Sequence, residues 1–595
     1  MIPTLPQNDA SPANRRAHIE HARATYEYGY DWPPGIAVTK ELPKSEEFSK
    51  LYELKAAAIE ALVLANHALS EVERWLPFGF ATVSRAARAP TRLAAPLVRT
   101  GKFNVFGNIA ALSAKAPPKR IETVDDFEQL FGLIRKGPLI EAYNQGEHAQ
   151  NVAFGWQRTA GANPMVLKRM CDKPGKDFWL DDARFAAIMG KGETLAGAFA
   201  EHRLFIADYA PLDGITCGTW NRGRNLKYMW GPTALFAWRR SRGEVTGYLV
   251  PVAIKVRQAP DAPVFTPADD WRWTMARTMV QIADGNDHEA IQHLGRTHLV
   301  MEAMCLAAHR NLAPNHPLLV LLEPHFEFTL AINDHAAHNL IAPGGTLDVL
   351  FGGTIEATLK LVKTGLQDFK LKLAAPDDNI ADRGLATNDC ELPVYPYRDD
   401  ARWVYKAIVA FADKYVSLYY ANDKAVQLDD ELRDMLEEVR APDGAKLRRA
   451  YEVHTVEDLS GLVARLIWTG SAQHGALNFA QFPYMGLIPN MPGAGYAPAP
   501  DHATPNTQIR FLEMLPPISA AWAHFDMAYL LSNVRANKLG AYPTGHFKDP
   551  RVKPLVDDLN ANLKVAEDII HAQNEGRIMT YPYLLPSGIP ASIHI

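Results

Sequence analysis

The chain is poor in cysteine: Cys171, Cys217, Cys305 and Cys390 are all it has in 595 residues, and none stands at CxxC spacing. That spacing excludes a disulfide framework and a thiolate zinc ribbon, and it suits a reducing compartment. No run approaches the roughly 18 uninterrupted apolar residues of a spanning helix. Met1 to Arg16 is polar and lacks the apolar stretch of a signal peptide. The formal charge of −5 is small for this length, which argues against a nucleic-acid partner and against an acidic tail. Internal repeats, heptad runs and low-complexity segments are missing too. With 47% hydrophobic residues the chain can bury a large core, so a soluble cytoplasmic monomer is expected.

One local absence stands out. From Arg74 to Ile121 there is no acidic residue, while Arg85, Arg88, Arg92, Arg99, Lys102, Lys115, Lys119 and Arg120 alternate with Leu, Phe and Val. Such a stretch is either a solvated pair of helices with uneven charge or a basic, apolar surface docking peripherally on anionic lipid. In the second case each charge near the membrane contributes about 1 kcal/mol. Before it, residues 1 to about 45 are polar and rich in proline and read as a surface arm. Ser45 to Leu76 has helical periodicity through Leu54, Ile59, Leu62, Leu64 and Leu69. After it, Thr123 with Asp125 and Asp126 reads as a helix N-cap and first turn. The runs 204–209, 234–238 and 248–254 read as strands of one small sheet.

The chemistry is concentrated between Trp271 and Gly345. His288, His293 and His298 recur every five residues in a segment that otherwise reads as helix and has no proline before Leu312. Neutral imidazoles are good ligands for divalent transition metals. On an ideal helix, however, residues five apart lie roughly 140° apart. Two of these histidines share a metal only if the helix is distorted, as in a π-bulge; otherwise they are partly buried helix residues bonded to carbonyls. His288-Glu289 followed by His293 has one residue too many for the zinc-protease HExxH motif, which needs its histidines at i, i+4. Farther on, His474 and Asn478 do stand at i, i+4 and point to one helix face.

The blocks around these residues carry a family likeness. His316-Pro317-Leu318-Leu319, Leu322-Glu323-Pro324-His325-Phe326 and the run from Ile332-Asn333 to Leu340-Ile341 resemble the lipoxygenase signature. So do Trp271–Arg277 and Arg296-Thr297-His298, Val394–Asp400, Gln473–Tyr484, and the ending Gly588-Ile589-Pro590-Ala591-Ser592-Ile593-His594-Ile595. The resemblance covers roughly residues 120 to 595. It implies a mainly α, lipoxygenase-like helical catalytic domain with a small antiparallel β subdomain. That domain spans 121–595, with a helical extension over 1–120 in place of the β-sandwich lipid-targeting module common in the family.

The same resemblance implies one non-haem iron held by His293, His298, His474, Asn478 and Ile595, with His288 not a ligand. The mixed N/O donor set admits manganese as well. Glu289 and Gln481 would link the metal ligands to the substrate cavity by hydrogen bonds. The implied substrate is a polyunsaturated fatty acid with a cis,cis-1,4-pentadiene. A ferric hydroxide would take a hydrogen atom from it, and O2 would then add to give a conjugated hydroperoxide. Leu294, Ile332 and Leu340 would clamp the pentadiene, with Leu347, Leu350 and Phe351 deeper. Ala336, at a position where the family carries Ala or Gly, implies an S product. The chain departs from the family at Ala337, where Arg is common, and at Met491, within Pro-Asn-Met-Pro, so a carboxylate-first orientation lacks its usual cation. Gly285 replaces a bulky residue of mammalian enzymes, which would deepen the pocket. A hydroperoxide isomerase and a non-catalytic lipid-binding protein on the same fold are the alternatives.

Overall fold

The computed structural model describes residues 2–75, 121–175, 178–221, 223–241 and 247–595. The basic stretch expected to meet lipid, 74–121, falls outside the described residues except at its ends. Among the described residues, no helix is long and apolar enough to cross a membrane.

The three strands expected from the sequence form the middle of a five-stranded antiparallel sheet. In it, β4 (Leu204–Asp208) pairs with β7 (Thr233–Arg239), and β7 pairs with β8 (Tyr248–Lys255). These strands are apolar on both faces because each face meets a core. Phe205, Ala234, Phe236, Trp238 and Ile254 join the main helical core. Leu204, Leu235, Ala237, Val250 and Val252 instead cover a satellite cluster with Leu180, Phe185 and Met189. Pro251 sits inside β8, where a proline would normally break a ladder. The register slips there, with Leu235 opposite Ala253 but Phe236 opposite Pro251, so the missing N–H falls at a bulge. The edge strands β3 (Lys168–Arg169) and β9 (Val264–Phe265) were not expected. Two residues are too few to show an alternation.

Helices make up most of the rest, and the longest path runs through the core. Asp270–Asp287 continues through a π-helical segment, His288–His298, into the helix Leu299–Asn311, nearly all of it buried. The helix Ile355–Gln367 lies close across the π segment: a Cβ on Gly365 would stand 3.0 Å from Ile291 Cγ2. A second helix, Val456–Trp468, passes through a π turn, Thr469–Gln473, into His474–Asn478.

The N-terminal residues are less peripheral than a surface arm. Helix α1 (Pro12–Thr25) buries Ile19 and Arg15, and Arg15 Nη2 donates to Glu431 Oε2 at 3.0 Å. Strands β1 (Tyr28–Gly29) and β2 (Val38–Thr39) pair with each other, and helix α2 (Lys50–Trp75) packs on the helix Ile518–Leu531. The C-terminal segment, of irregular backbone, is threaded inward. His325 Nδ1 lies 2.7 Å from the Ala591 carbonyl, the Ala591 N–H donates to Asn537, and Tyr52 of α2 donates to the His594 carbonyl at 3.0 Å.

Helix Glu147–Ala160 rests on β8 through Gly155, where a Cβ would fall 2.0 Å from the Leu249 carbonyl oxygen. Backbone cannot yield as a side-chain tip can. Gly155→Ala is therefore expected to destabilise by about 1–3 kcal/mol, despite the roughly 1 kcal/mol that alanine gains over glycine inside a helix. Denaturant unfolding of the two proteins checks this; an unchanged or raised midpoint would show that the helix and sheet are not in contact there.

Candidate metal centre

In a π-helix the backbone bonds run i→i+5, so residues five apart come onto one face. This is the distortion that the histidine spacing requires. The Leu299 N–H bonds the Leu294 carbonyl, and the Thr297 hydroxyl donates to the Gln292 carbonyl at 2.8 Å. His293 and His298 are thereby turned to the same side, with Nε2 atoms 3.1 Å apart. The second π-distorted helix brings His474 against both rings, at centroid distances of 5.4 and 5.1 Å. A nitrogen from each of the three lies within 4.8 Å of the others.

The surrounding hydrogen bonds fix which ring nitrogens carry protons. Asn333 donates through Nδ2 to Glu302 Oε2 at 2.8 Å and to the His298 carbonyl at 3.2 Å. Its Oδ1 therefore faces His298 Nδ1 at 2.8 Å, and that nitrogen must donate. Glu289 accepts only, so His293 Nδ1, 3.3 Å from Oε2, donates as well. Both Nε2 atoms are left as lone pairs facing one another, a repulsive arrangement that a cation removes. His474 adds a buried Nδ1 with no hydrogen-bond partner among the described residues and an Nε2 3.2 Å from the Ile595 oxygen.

Burial sets the charge state. It pushes His298 down to about 3, His474 well below the usual imidazole range, and His293 below it too. Neutral imidazole is the ligating form. Three imidazoles with oxygen donors nearby and no thiolate fit iron or manganese. The residues therefore fit the metal that the sequence implied.

His288 is held elsewhere, with Nε2 3.2 Å from the Leu477 carbonyl and Nδ1 3.2 Å from Glu289. Burial opposes ionisation of Glu289, yet His288 and His293 hold its carboxyl below the usual range. Gln481 Nε2 donates to Asn478 Oδ1 at 3.4 Å and stands 3.2 Å from His293 Nδ1, to which it makes no hydrogen bond because that nitrogen carries its proton toward Glu289. Asn478 also donates to the Leu531 carbonyl at 2.7 Å, which orients its amide. Behind His298, the chain through Asn333 continues to Glu302, whose Oε1 accepts the Thr39 N–H at 2.7 Å. Burial raises Glu302 to about 7. Asn333 and Glu302 were not singled out from sequence. The i, i+4 step from His298 to Glu302 was there to see, but the partner on another helix was not.

A cavity opens from the centre, and its lining is overwhelmingly apolar. Leu294, Ile332, Ala336, Leu340 and Leu347 line it. Leu350 and Phe351 lie behind Leu347, in a packed cluster with Ala523 and Met527 rather than on the cavity wall. Gly285 packs against Met491 and Met485 and is not on that wall either. Sequence reasoning missed the opposite wall, made by Phe48, Tyr52 and Ala56, as well as His335, Leu530 and Leu531. The periodicity of α2 was legible, but not the object its apolar face meets.

Comparison with known proteins agrees with this geometry. The family model Lipoxygenase matches residues 136–580. Linoleate 9/13-lipoxygenase of Pseudomonas aeruginosa is 36% identical over 495 residues, covering 79% of this chain and 69% of that protein. Polyunsaturated fatty acid lipoxygenase ALOX15B of Homo sapiens is 31% identical over 482 residues, covering 80% and 69%. Among solved structures, an anaerobic crystal structure of a LOX in complex with arachidonate matches with a TM-score of 0.83. It is 23% identical and covers 100% of this chain and 84% of that one, a likeness of fold. The chain belongs to the lipoxygenase family and is an oxidoreductase of its dioxygenase class.

Proposed function

We propose that the protein oxygenates polyunsaturated fatty acids of the linoleate and arachidonate class to S-configured conjugated hydroperoxides. The observation that carries this reading is the convergence of three neutral imidazoles beside an apolar cavity. His293, His298, His474, Asn478 and the Ile595 carboxylate would hold one non-haem iron, manganese being the other metal such donors take. Bound there, that metal supplies the one-electron oxidant and the base for removing the bis-allylic hydrogen.

The chain's own residues do the rest. Leu294, Ile332 and Leu340 exclude water and hold the pentadiene flat, which limits the carbons within reach. The Ala336 methyl would block one of two positions along the diene, leaving oxygen to enter at the other. Glu289 and Asn333 keep the proton of each ligating ring on Nδ1, so the Nε2 lone pairs stay turned to the metal. In this reading residues 121–595 are the catalytic domain, and the extension 1–120 completes its cavity through α2. A cytoplasmic monomer touching membranes peripherally through 74–121 fits the same activity.

Purified, metal-loaded protein given linoleate is expected to consume O2 in step with conjugated-diene absorbance, and His474→Ala to lose both along with its metal. Stable metal loading with no uptake on linoleate would overturn the reading for this substrate, and isomerisation of added hydroperoxide would then identify the alternative. Chiral analysis should find the S product, and Ala336→Gly should shift it toward R; an unchanged ratio would remove Ala336 from stereocontrol. Asn333→Ala should weaken metal retention by about 10–100-fold, read by metal analysis after timed exposure to chelator. Retention equal to the parent would show that the bond to His298 does not orient it.

A further inference from the structure

Glu302 is a buried carboxylate that no step of the proposed oxygenation uses. It stands one turn beyond His298, on the helix Leu299–Asn311, and is fully buried. Among the described residues no cation faces it. Its two neighbours are both N–H donors: the Thr39 backbone gives to Oε1 at 2.7 Å, and Asn333 Nδ2 gives to Oε2 at 2.8 Å. Only a group with an acceptor on each side answers both, and an ionised carboxylate is such a group. Thr39 precedes the residues that the family model matches, so this partner comes from the N-terminal extension.

The arrangement has a polarity. An amide donates at one end and accepts at the other. Asn333 commits Nδ2 to Glu302 and, at 3.2 Å, to the His298 carbonyl, which leaves Oδ1 for the ring, 2.8 Å from Nδ1. The ring proton then sits on Nδ1 and the lone pair on Nε2. Turned end for end, the amide would offer Nδ2 to the ring, move the proton to Nε2 and cost the centre a ligand atom. The shorter, charge-assisted bond to Glu302 is the stronger hold against that turn.

We propose that Glu302 is a positioning residue that sets the tautomer of His298. Its carboxylate, pinned by the Thr39 N–H, holds the Asn333 amide with its oxygen toward Nδ1 and so keeps Nε2 free for the metal. This rests on the metal-centre reading above and traces the ligating form of one ring back to a backbone N–H of the N-terminal extension.

The test uses two variants. Glu302→Gln keeps the shape but supplies one acceptor where two are needed, so it answers Thr39 only by turning a donor toward Asn333, which must then flip. Glu302→Gln combined with Asn333→Asp exchanges amide and carboxylate: an acceptor still faces Thr39, and a carboxylate now faces His298 Nδ1. Each metal-loaded protein is exposed to chelator at about pH 8, above the value of about 7 to which burial raises Glu302, and retained metal is followed with time. Glu302→Gln is expected to lose metal about 10–100-fold faster than the parent, and the double variant to recover most of the difference. An unchanged rate in Glu302→Gln, or a double variant no better than the single one, would overturn the proposal, since a role in packing alone predicts no rescue. Linoleate turnover plays no part in this comparison, so failure of the oxygenase reading leaves it standing. If the parent holds no metal, the metal centre fails separately. The tautomer is then read from long-range proton–nitrogen NMR spectra of protein with labelled histidine, the His298 signal being assigned by its absence in His298→Gln. A proton on Nδ1 in the parent that moves to Nε2 in Glu302→Gln supports the role of Glu302, and the same tautomer in both refutes it.

Discussion

Everything at this centre depends on a backbone register: the i→i+5 bonding of His288–His298. In a regular α-helix His293 and His298 would diverge by roughly 140° and could not face one metal. A π turn bonds less favourably than an α turn, so it persists only where its surroundings hold it. Here they do. The segment is buried, Ile355–Gln367 crosses it at near-contact distance over Gly365, and the Thr297 hydroxyl bonds the Gln292 carbonyl. The second helix repeats the device at Thr469–Gln473 just before His474. Two local distortions, each held by tertiary packing, thus aim three rings at one point.

The apolar cavity and the polar centre are made by the same helices, and this arrangement governs the charges. Desolvation keeps the three imidazoles neutral, which suits them to bind a metal, while the carboxylates nearby survive only because they are bonded. Glu289 keeps its charge between two histidines, whereas Glu302, whose partners are amides, is raised to about 7. A cavity lined by leucine and isoleucine therefore sets the charge state of the three imidazoles beside it.

How much of this the sequence displayed depends on the range of the interaction. The five-residue spacing of His293 and His298 made a shared metal conditional on a distorted helix, a condition legible because periodicity is local. The three long strands were legible for the same reason, while β3 and β9 were too short to show a pattern. Pro251 lies inside a run that reads as a strand, and only the pairing shows the bulge that accommodates it. Leu350 and Phe351 illustrate the opposite limit. Their apolar character and position beside Leu347 put them near the pocket, but which of three neighbouring side chains reaches the cavity is decided by the helix Thr346–Leu350 and the cluster behind it. Arg15 and Thr39 lie in a polar stretch that reads as surface, yet their partners, Glu431 and Glu302, are hundreds of residues away.

That last pair changes the status of the N-terminal residues. The family match begins at residue 136, so nothing before it is needed to recognise the chain. Yet the Thr39 N–H fixes Glu302, Glu302 fixes Asn333, and Asn333 fixes the His298 ring. From the same part of the chain, Tyr52 holds the His594 carbonyl one residue before Ile595, while Phe48, Tyr52 and Ala56 close one side of the cavity. Hydrogen bonds from buried donors are costly to break and leave their partners unsatisfied. Displacing residues 38–56 would therefore disturb the His298 ring, the C-terminal segment and the cavity wall together. The N-terminal extension is part of the site's construction, joined to it by three separate contacts.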